Sequence, residues 1–501
     1  MKRDIQRFTQ NRYDVLIIGG GINGAAVAHM SALNGLKVAL LEKGDFASGA
    51  SGKSTKLIHG GLRYLENMEF GLVHESLRER TIQLKSAPHL VRPLRFIIPV
   101  YDSDARPFWL MKLGVRLYDL LSQKHIIERH RALNVEEICR LVPGIRKGGL
   151  LGGVMYSDAQ MNDARLCLEN VLSAVEKGAN AANYVNVSSF IQENGRMVGV
   201  HARDELGQKD FEVRARKIVC AVGPWTNILM RKEHSGSPAR IRPTKGVHIV
   251  YKGKISDHAV LIPTRSDRRI FFIIPWMGNS LIGTTDTDFT GDPDRVEVER
   301  ADIDYLLAEA KRVLPGTNFN DDNIITSFAG LRPLVSEPGA PARVSRKHMI
   351  KESYSGLIYV MGGKYTTYRK IAEDVVRKLT KKPFVHTREK FPVYGSGEIS
   401  EDVNTLGQRY GVEPEMIRSL INFYGVRFSD VIKCVKQNAD LKVPICSCCS
   451  VILAQVVYAI ETEMARTVED IIMRRLVIGY KECPTGECRK MIRSILSEKG
   501  F

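Results

Sequence analysis

The chain has 501 residues, of which 44% are apolar and 26% charged, with a formal net charge of +17. That length suits two or three domains with large cores, and no apolar run is long enough to cross a bilayer. The basic excess suits an anionic substrate or an acidic lipid surface, whereas nucleic acid is not an expected partner, because the Lys and Arg residues form no long block with interleaved aromatics.

Met1-Lys2-Arg3-Asp4 leads into polar residues and not into a signal sequence, so a cytoplasmic location is expected. Nine cysteines in that setting argue against a disulfide framework. Five of them, Cys446, Cys448, Cys449, Cys483 and Cys488, crowd the C-terminal end.

The chain is organised around Tyr13 to Glu42. The apolar run Val15-Leu16-Ile17-Ile18 enters Gly19-Gly20-Gly21-Ile22-Asn23-Gly24, a small-residue helix follows, and the run Leu36 to Leu41 ends at Glu42. Strand, glycine turn, helix, strand and acid make up the dinucleotide fingerprint in its required context. Gly19 suits the tight turn, Gly21 the approach of a pyrophosphate, and Gly24 close helix packing. Ile22 and Asn23 open the helix whose N-terminus faces the phosphates. Glu42, eighteen residues beyond Gly24, is placed to bind an adenosine ribose, with Lys43 beside it.

From Gly44 to Lys56 the chain is too rich in glycine and serine for regular structure. Its small hydroxyl residues, including Ser51, Ser54 and Thr55, suit a loop lying over a pyrophosphate. His59-Gly60-Gly61-Leu62-Arg63-Tyr64 then sets His, Arg and Tyr around a glycine pair, a place where backbone approaches something flat. Helical spacing is expected from 66 to 85, a strand from 88 to 99, and helix through 104 to 142. Asp163 begins another helix, and 184 to 214 reads as a hairpin turning at Glu193-Asn194-Gly195. The strand 217 to 221 stops at Gly223-Pro224-Trp225.

Between 240 and 290 four alternating runs predict an antiparallel sheet forming a pocket wall, with His248 on the first run. Arg332 emerges from a later strand. Leu357 to Met361, Gly362-Gly363-Lys364-Tyr365-Thr366 and a helix to about 379 form a second strand–glycine–helix unit. A reduced flavin, anionic at its N1–C2=O edge, would find a counter-field in that helix N-terminus. Residues 383 to 400 read as a linker, and 401 to 501 as helices throughout, including one from Thr467 to Ile478.

Together these motifs resemble the FAD-dependent glycerol-3-phosphate dehydrogenases over nearly the full length. The stretches that carry the likeness are the first glycine turn, Thr55 to Leu65, Gly223-Pro224-Trp225, Ile274-Pro275-Trp276, Gly283-Thr284-Thr285-Asp286, Gly330 to Leu334 and Gly362 to Lys370. The resemblance implies an α/β fold with a glutathione-reductase-like, FAD-binding Rossmann domain (12–80, 145–235 and 325–382). It adds an inserted antiparallel-sheet substrate domain (81–144 and 236–324) and a C-terminal helical domain (398–501). It implies oxidation of sn-glycerol 3-phosphate to dihydroxyacetone phosphate, with electrons passing to a quinone or another carrier, at the inner face of the cell membrane. A homo-oligomer or a subunit of a larger complex is expected.

Cys446-Ser447-Cys448 and Cys483-Pro484-Thr485-Gly486-Glu487-Cys488, thirty-four residues apart, resemble the anaerobic multi-subunit branch, whose large subunit ends in a ferredoxin-like helical domain. Four thiolates in two close pairs suit a [2Fe–2S] cluster. A closed zinc site is equally compatible, as are reduced thiols without metal. Cys449 is then a spare thiol.

By the same resemblance Arg63, Tyr64, Arg332 and Lys364 line the substrate site, and Gly60, Gly223, Trp225, Gly363, Tyr365 and Thr366 join the cofactor contacts. His248 and His59 are the candidate bases, His248 preferred because it comes from the pocket wall. An imidazole base places a limb in the pH–rate profile at about pH 6 to 7. An oxygen-reducing glycerol-3-phosphate oxidase and an electron-relay flavoprotein acting on another substrate are the alternative readings.

Overall fold

The computed structural model describes residues 1–65, 68–104, 106–238, 240–264, 270–336, 347–380, 385, 387, 389–483 and 485–501, without the side chain of Arg63. Two sheets enclose one long cavity, and a helical domain packs behind them.

The first sheet has eight strands. Arg12–Ile18 lies in it between Val38–Leu41 and Lys209–Cys220, parallel to both, and Lys209–Cys220 in turn pairs in parallel with Leu357–Gly362. Such strands are covered on both faces, which is why Val15-Leu16-Ile17-Ile18 is continuously apolar. The helices Ile22–Leu33, Asp163–Glu176 and Tyr368–Leu379 bury one face of this sheet. The hairpin Val185–Glu193 and Arg196–Asp204, with the helix Thr226–Glu233, covers the other. The parallel strands end together at Gly19, Gly223 and Gly362, so both glycine turns open at the same edge.

The second sheet has ten strands and is largely antiparallel. The runs expected between 240 and 290 form Ile241–Tyr251, Ala259–Pro263, Ile270–Trp276 and Asn279–Gly283. This sheet also takes Leu57–Ile58, Leu150–Met161 and Ile324–Val335, which lie wholly or mostly outside segments 81–144 and 236–324. Pairing follows the partners available in space, and Leu150–Met161 is long enough to serve Leu57–Ile58, Val91–Tyr101 and Arg131–Leu133 at once. That also accounts for a departure within 104–142. Helices form at Phe108–Ser122 and Val135–Leu141, but Arg131–Leu133 between them is drawn into the ladder.

The C-terminal helices fall where expected, Val403–Tyr410, Pro414–Tyr424, Phe428–Gln437, Leu453–Glu461 and Glu487–Glu498, with one change of type. Residues Asp470–Arg475 form a π-helical turn. Its carboxylate caps the preceding backbone, accepting from Arg466 N at 2.7 Å and Thr467 N at 3.0 Å. The wide turn lets two consecutive arginines reach one carboxylate: Arg474 Nε and Arg475 Nη1 both donate to Asp45 Oδ2, at 2.6 and 2.7 Å.

Asp45 lies in the loop after Glu42 and is fully enclosed, so this cluster bolts the C-terminal domain to the cofactor loop. Burial alone would raise the Asp45 carboxyl, but the Arg475 and Arg474 guanidiniums overcome it and hold the pKa at about 2. A depressed carboxyl contributes stability above its unfolded pKa of about 3.9 and loses it as pH falls towards 2. Asp45→Ala leaves the Arg475 guanidinium without its carboxylate and Arg474 with Asp470 alone, and should cost about 3–5 kcal/mol. Thermal unfolding at pH 7 and at pH 3 checks this, with the gap between wild type and variant narrowing at the lower pH.

Candidate functional site

A cavity of about 1860 Å³ runs along the strand-end edge of the first sheet and under the second. That exceeds the usual 300–1,000 Å³ of a small-molecule pocket and suits an extended ligand with a second molecule beside it.

At one end lies the first glycine turn. Gly19 has φ +104°, and a Cβ on Gly24 would stand 1.8 Å from the Gly19 carbonyl oxygen, so helix and turn meet at a distance only glycine permits. Ile22 N, at the helix start, donates to Ser51 Oγ at 2.8 Å, which places the serine-rich loop over the turn. Glu42 accepts from Gly20 N at 2.6 Å and Gly44 N at 2.8 Å, and with Asn23 it lines the cavity. The mouth here is crossed by a latch. Lys43 Nζ pairs with Asp294 at 2.5 Å and lies 4.3 Å from the Trp225 ring centroid, while Trp225 Nε1 donates to the same carboxylate at 3.0 Å. Gly223 lines the adjoining wall.

The middle of the cavity is set by Asp163, a residue that sequence reasoning marked only as a helix start. Ser54 donates to its Oδ2 from N at 3.1 Å and from Oγ at 2.7 Å. Lys56 Nζ donates to Oδ1 at 2.6 Å, and the Tyr365 hydroxyl donates to the Asp163 carbonyl at 2.5 Å. One buried residue thus ties the serine loop to the second glycine unit. Thr366 completes the seam by accepting from His59 N at 3.1 Å and donating to His59 O at 3.2 Å. Gly363 and Lys364 line the cavity above the helix that follows.

At the far end Arg332 is held as a fork. Its Nη1 donates to Thr285 O at 3.1 Å and Asp286 Oδ1 at 2.9 Å, and its Nη2 to Thr284 Oγ1 at 2.7 Å. Lys364 donates to Ser76 Oγ and stands 4.7 Å from the Tyr64 ring centroid. His248 shares a 3.0 Å hydrogen bond between Nε2 and Thr55 Oγ1. Among the described residues its buried Nδ1 has no hydrogen-bond partner. Burial, then the Arg332 and Lys56 charges, push its pKa well below 6.5, so the ring is neutral.

His248, His59, Arg332, Lys364 and Tyr64 therefore share one cavity. The side chain of Arg63 lies outside the described residues. Gly60 is displaced from the cofactor contacts: its N–H goes to Asp158 Oδ1 at 3.2 Å and its Cα packs on the Tyr118 hydroxyl, leaving Gly61 to face the cavity.

The rest of the wall is apolar. Leu110, Leu113 and Leu117, on the helix Phe108–Ser122, line the cavity from above. The outer face of that helix is bare, with Trp109 66% and Leu120 69% exposed. Exposed Arg116 and Lys124 flank it. Among the described residues no helix is long and apolar enough to cross a membrane.

Known proteins share this arrangement. Residues 14–369 match the family described as FAD dependent oxidoreductase, and residues 386–497 the C-terminal domain of alpha-glycerophosphate oxidase. The glycerol-3-phosphate dehydrogenase of Synechocystis sp. is 39% identical, over 95% of this chain and 91% of its own length. The chain belongs to the FAD-dependent glycerol-3-phosphate dehydrogenases. The aerobic glycerol-3-phosphate dehydrogenase of Bacillus subtilis, another relative, is 36% identical over 94% of this chain and 88% of its own. The structure of the Bacillus halodurans glycerol-3-phosphate dehydrogenase complexed with FAD superposes with a TM-score of 0.81, at 29% identity, covering 99% of this chain and 92% of that one. These relatives identify the family, not its aerobic or anaerobic branch.

The dehydrogenase carries a second cluster in its C-terminal domain. The sulfurs of Cys446, Cys448, Cys449 and Cys488 all lie within 4.8 Å of one another, with Cys446 and Cys488 in disulfide contact. Cys448 stands 2.9 Å from Cys446 and 3.4 Å from Cys488, and also hydrogen-bonds Cys483. The tightest four therefore include Cys449, which the C-x-C and C-x4-C spacing left spare, with Cys483 at the side. Metal–sulfur bonds of about 2.3 Å put tetrahedral thiolates roughly 3.8 Å apart, so the four sulfurs suit a metal by type, whereas the Cys446–Cys488 and Cys446–Cys448 contacts are closer than that spacing.

The glycine turn gives a direct test of cofactor retention. Gly24→Ala forces its Cβ into the Gly19 carbonyl, and the purified variant should lose most of the bound flavin, read as absorbance near 450 nm per polypeptide, while Gly148→Ala, whose Cβ would meet nothing within 4 Å, should retain it.

Proposed function

We propose that the chain oxidises sn-glycerol 3-phosphate to dihydroxyacetone phosphate, with the electrons leaving for a membrane quinone. The observation that carries this reading is the convergence of the Arg332 fork, Lys364 and a neutral His248 on one end of a cavity whose other end is a dinucleotide turn. Bound FAD supplies the hydride acceptor.

The chain's own residues do the rest. A dianionic phosphate docks against Arg332, whose fork is pre-aimed by Asp286 and Thr284, and against Lys364, with Arg63 adding a third cation by its place in the sequence. His248 takes the C2 hydroxyl proton. Its low pKa keeps it unprotonated across the neutral range, and Thr55 fixes the ring. His59, pinned through its backbone by Thr366, is the less suited of the two histidines. The late helix N-terminus at 365–368 and Lys364 favour negative charge on the adjoining ring edge.

The bare helix 108–122 supports peripheral attachment to the inner face of the membrane. Its exposed Trp109, Leu113 and Leu120 suit the acyl boundary, flanking Arg116 and Lys124 suit anionic headgroups, and the cavity behind it offers a quinone an apolar approach. The C-terminal thiols suit a [2Fe–2S] cluster, with zinc as the other occupant the donor set allows.

Anaerobic titration of the purified flavoprotein with glycerol 3-phosphate tests the reaction. Wild type should bleach stoichiometrically. Arg332→Met should raise KM at least tenfold, and His248→Gln should cut kcat by about 10²–10⁴. In the wild-type profile of kcat/KM the acid limb should fall well below pH 6.5, because the folded-state pKa of His248 is depressed. A wild-type enzyme that glycerol 3-phosphate cannot bleach ends the reading, and stoichiometric peroxide under air converts it to an oxidase. The same spectrum, with iron and acid-labile sulfide analysis, decides between cluster and zinc.

Cosedimentation with phosphatidylglycerol vesicles tests the surface. Trp109→Ser with Leu120→Ser should abolish pelleting and leave turnover with a soluble dye within about twofold, since neither residue lines the cavity.

A further inference from the structure

Behind His248 the cavity wall is aromatic, and part of it comes from an unexpected direction. Phe328 stacks on the imidazole with centroids 5.1 Å apart and planes 18° apart. Tyr480, from the C-terminal domain, meets Phe328 edge-on at 5.9 Å and Trp276 at 6.4 Å. Tyr480 is buried yet does not line the cavity. Its backbone carbonyl accepts from Asn279 Nδ2 at 3.0 Å, which pins it to the second sheet.

Lys56 sits inside this aromatic group. Its Nζ is 5.0 Å from the Tyr480 centroid, 5.3 Å from Phe328 and 5.8 Å from Trp276, and it hydrogen-bonds the Tyr480 hydroxyl. Each such contact, out of water, is favourable to the cation. The residue before Lys56 is Thr55, whose hydroxyl holds His248 Nε2. Both groups that orient the imidazole, the Phe328 face and the Thr55 hydroxyl, therefore rest on Tyr480.

We infer that Tyr480 is a positioning residue for the reaction, acting through Phe328, Lys56 and Thr55 to hold His248 in its reactive orientation. This rests on the reading of His248 as the proton acceptor. It gives the C-terminal domain a part in the chemistry of the flavin pocket, through a side chain only three residues before Cys483. The charged groups facing His248 are Lys56 from the loop and Arg332 from the strand Ile324–Val335, backed by Asp163 and Asp286 respectively. Tyr480 is the remaining titratable neighbour of this shell, through Lys56.

Steady-state kinetics over pH, with flavin content measured for every protein, tests the inference. Tyr480→Leu removes ring and hydroxyl: kcat should fall about tenfold with KM within twofold, as expected when a reacting group loses its alignment. The acid limb should move up towards about 6.5 as water reaches the imidazole. Tyr480→Phe keeps the ring and loses one Lys56 partner, so kcat should fall only two- to threefold, with a smaller upward movement of the limb.

Wild-type kcat and limb in a flavin-replete Tyr480→Leu enzyme overturn the inference. If the leucine variant retains no flavin, Tyr480→Phe decides, and unchanged kcat and limb in it overturn the inference equally. A His248→Gln enzyme with wild-type turnover removes instead the base assignment beneath it.

Discussion

A single buried carboxylate, Asp163, holds the active region together. It stands at the N-terminus of the helix Asp163–Glu176, where the helix dipole favours negative charge, and it accepts from Ser54, Lys56 and Ala164 while its own carbonyl receives Tyr365. A buried ion pair of this kind is costly to break, because removing one partner strands the other charge in a low dielectric. Through these four donors the serine loop, Thr55 with its hydrogen bond to His248, and the late glycine unit take their positions from one point.

A second seam of buried charge binds the C-terminal domain to the same loop and to the helix Asp163–Glu176. Asp45 meets Arg474 and Arg475, Arg165 meets Glu463 at 2.5 Å, and Lys56 meets Tyr480. The domain is thus no loose appendage. It closes over the back of the cofactor loop, and its cysteine-bearing segment leaves directly from Tyr480, which packs on the Phe328 ring stacked against His248. Its place between flavin pocket and thiol cluster suits an enzyme whose electrons must leave the protein after each turnover.

Much of this was legible in the residues. The parallel strands declared themselves as continuous apolar runs because both their faces are covered, and the pocket wall showed itself as four runs although both of its faces pack too, Val247 and Ile249 on one and Val250 and Leu281 on the other. Glycine turns announced both ends of the cofactor site, since nothing larger than hydrogen fits at Gly24. What was not legible depends on distant partners. Gly60 carries the same local signal as Gly61, but only the placement of Asp158 and Tyr118 shows which of the two faces the ligand. Cys449 reads as surplus by spacing, yet the turn closed by the bridge between Pro444 and Ile452 folds it in among the other sulfurs. The segment 131–133 has helical neighbours and becomes a strand because an edge awaits it.

The sequence by itself determined the fold family, the two strand–glycine–helix units, the helical C-terminus and several of the cations and histidines that line the cavity. Those features arise from local periodicity and from residue types whose chemistry has few substitutes. Tertiary structure alone decided which carboxylate anchors the cofactor loop, which histidine is kept neutral, and that a tyrosine from the last domain supports the first domain's pocket. Each of these is set by burial and by groups brought near from distant parts of the chain, and a linear chain carries no local mark of either.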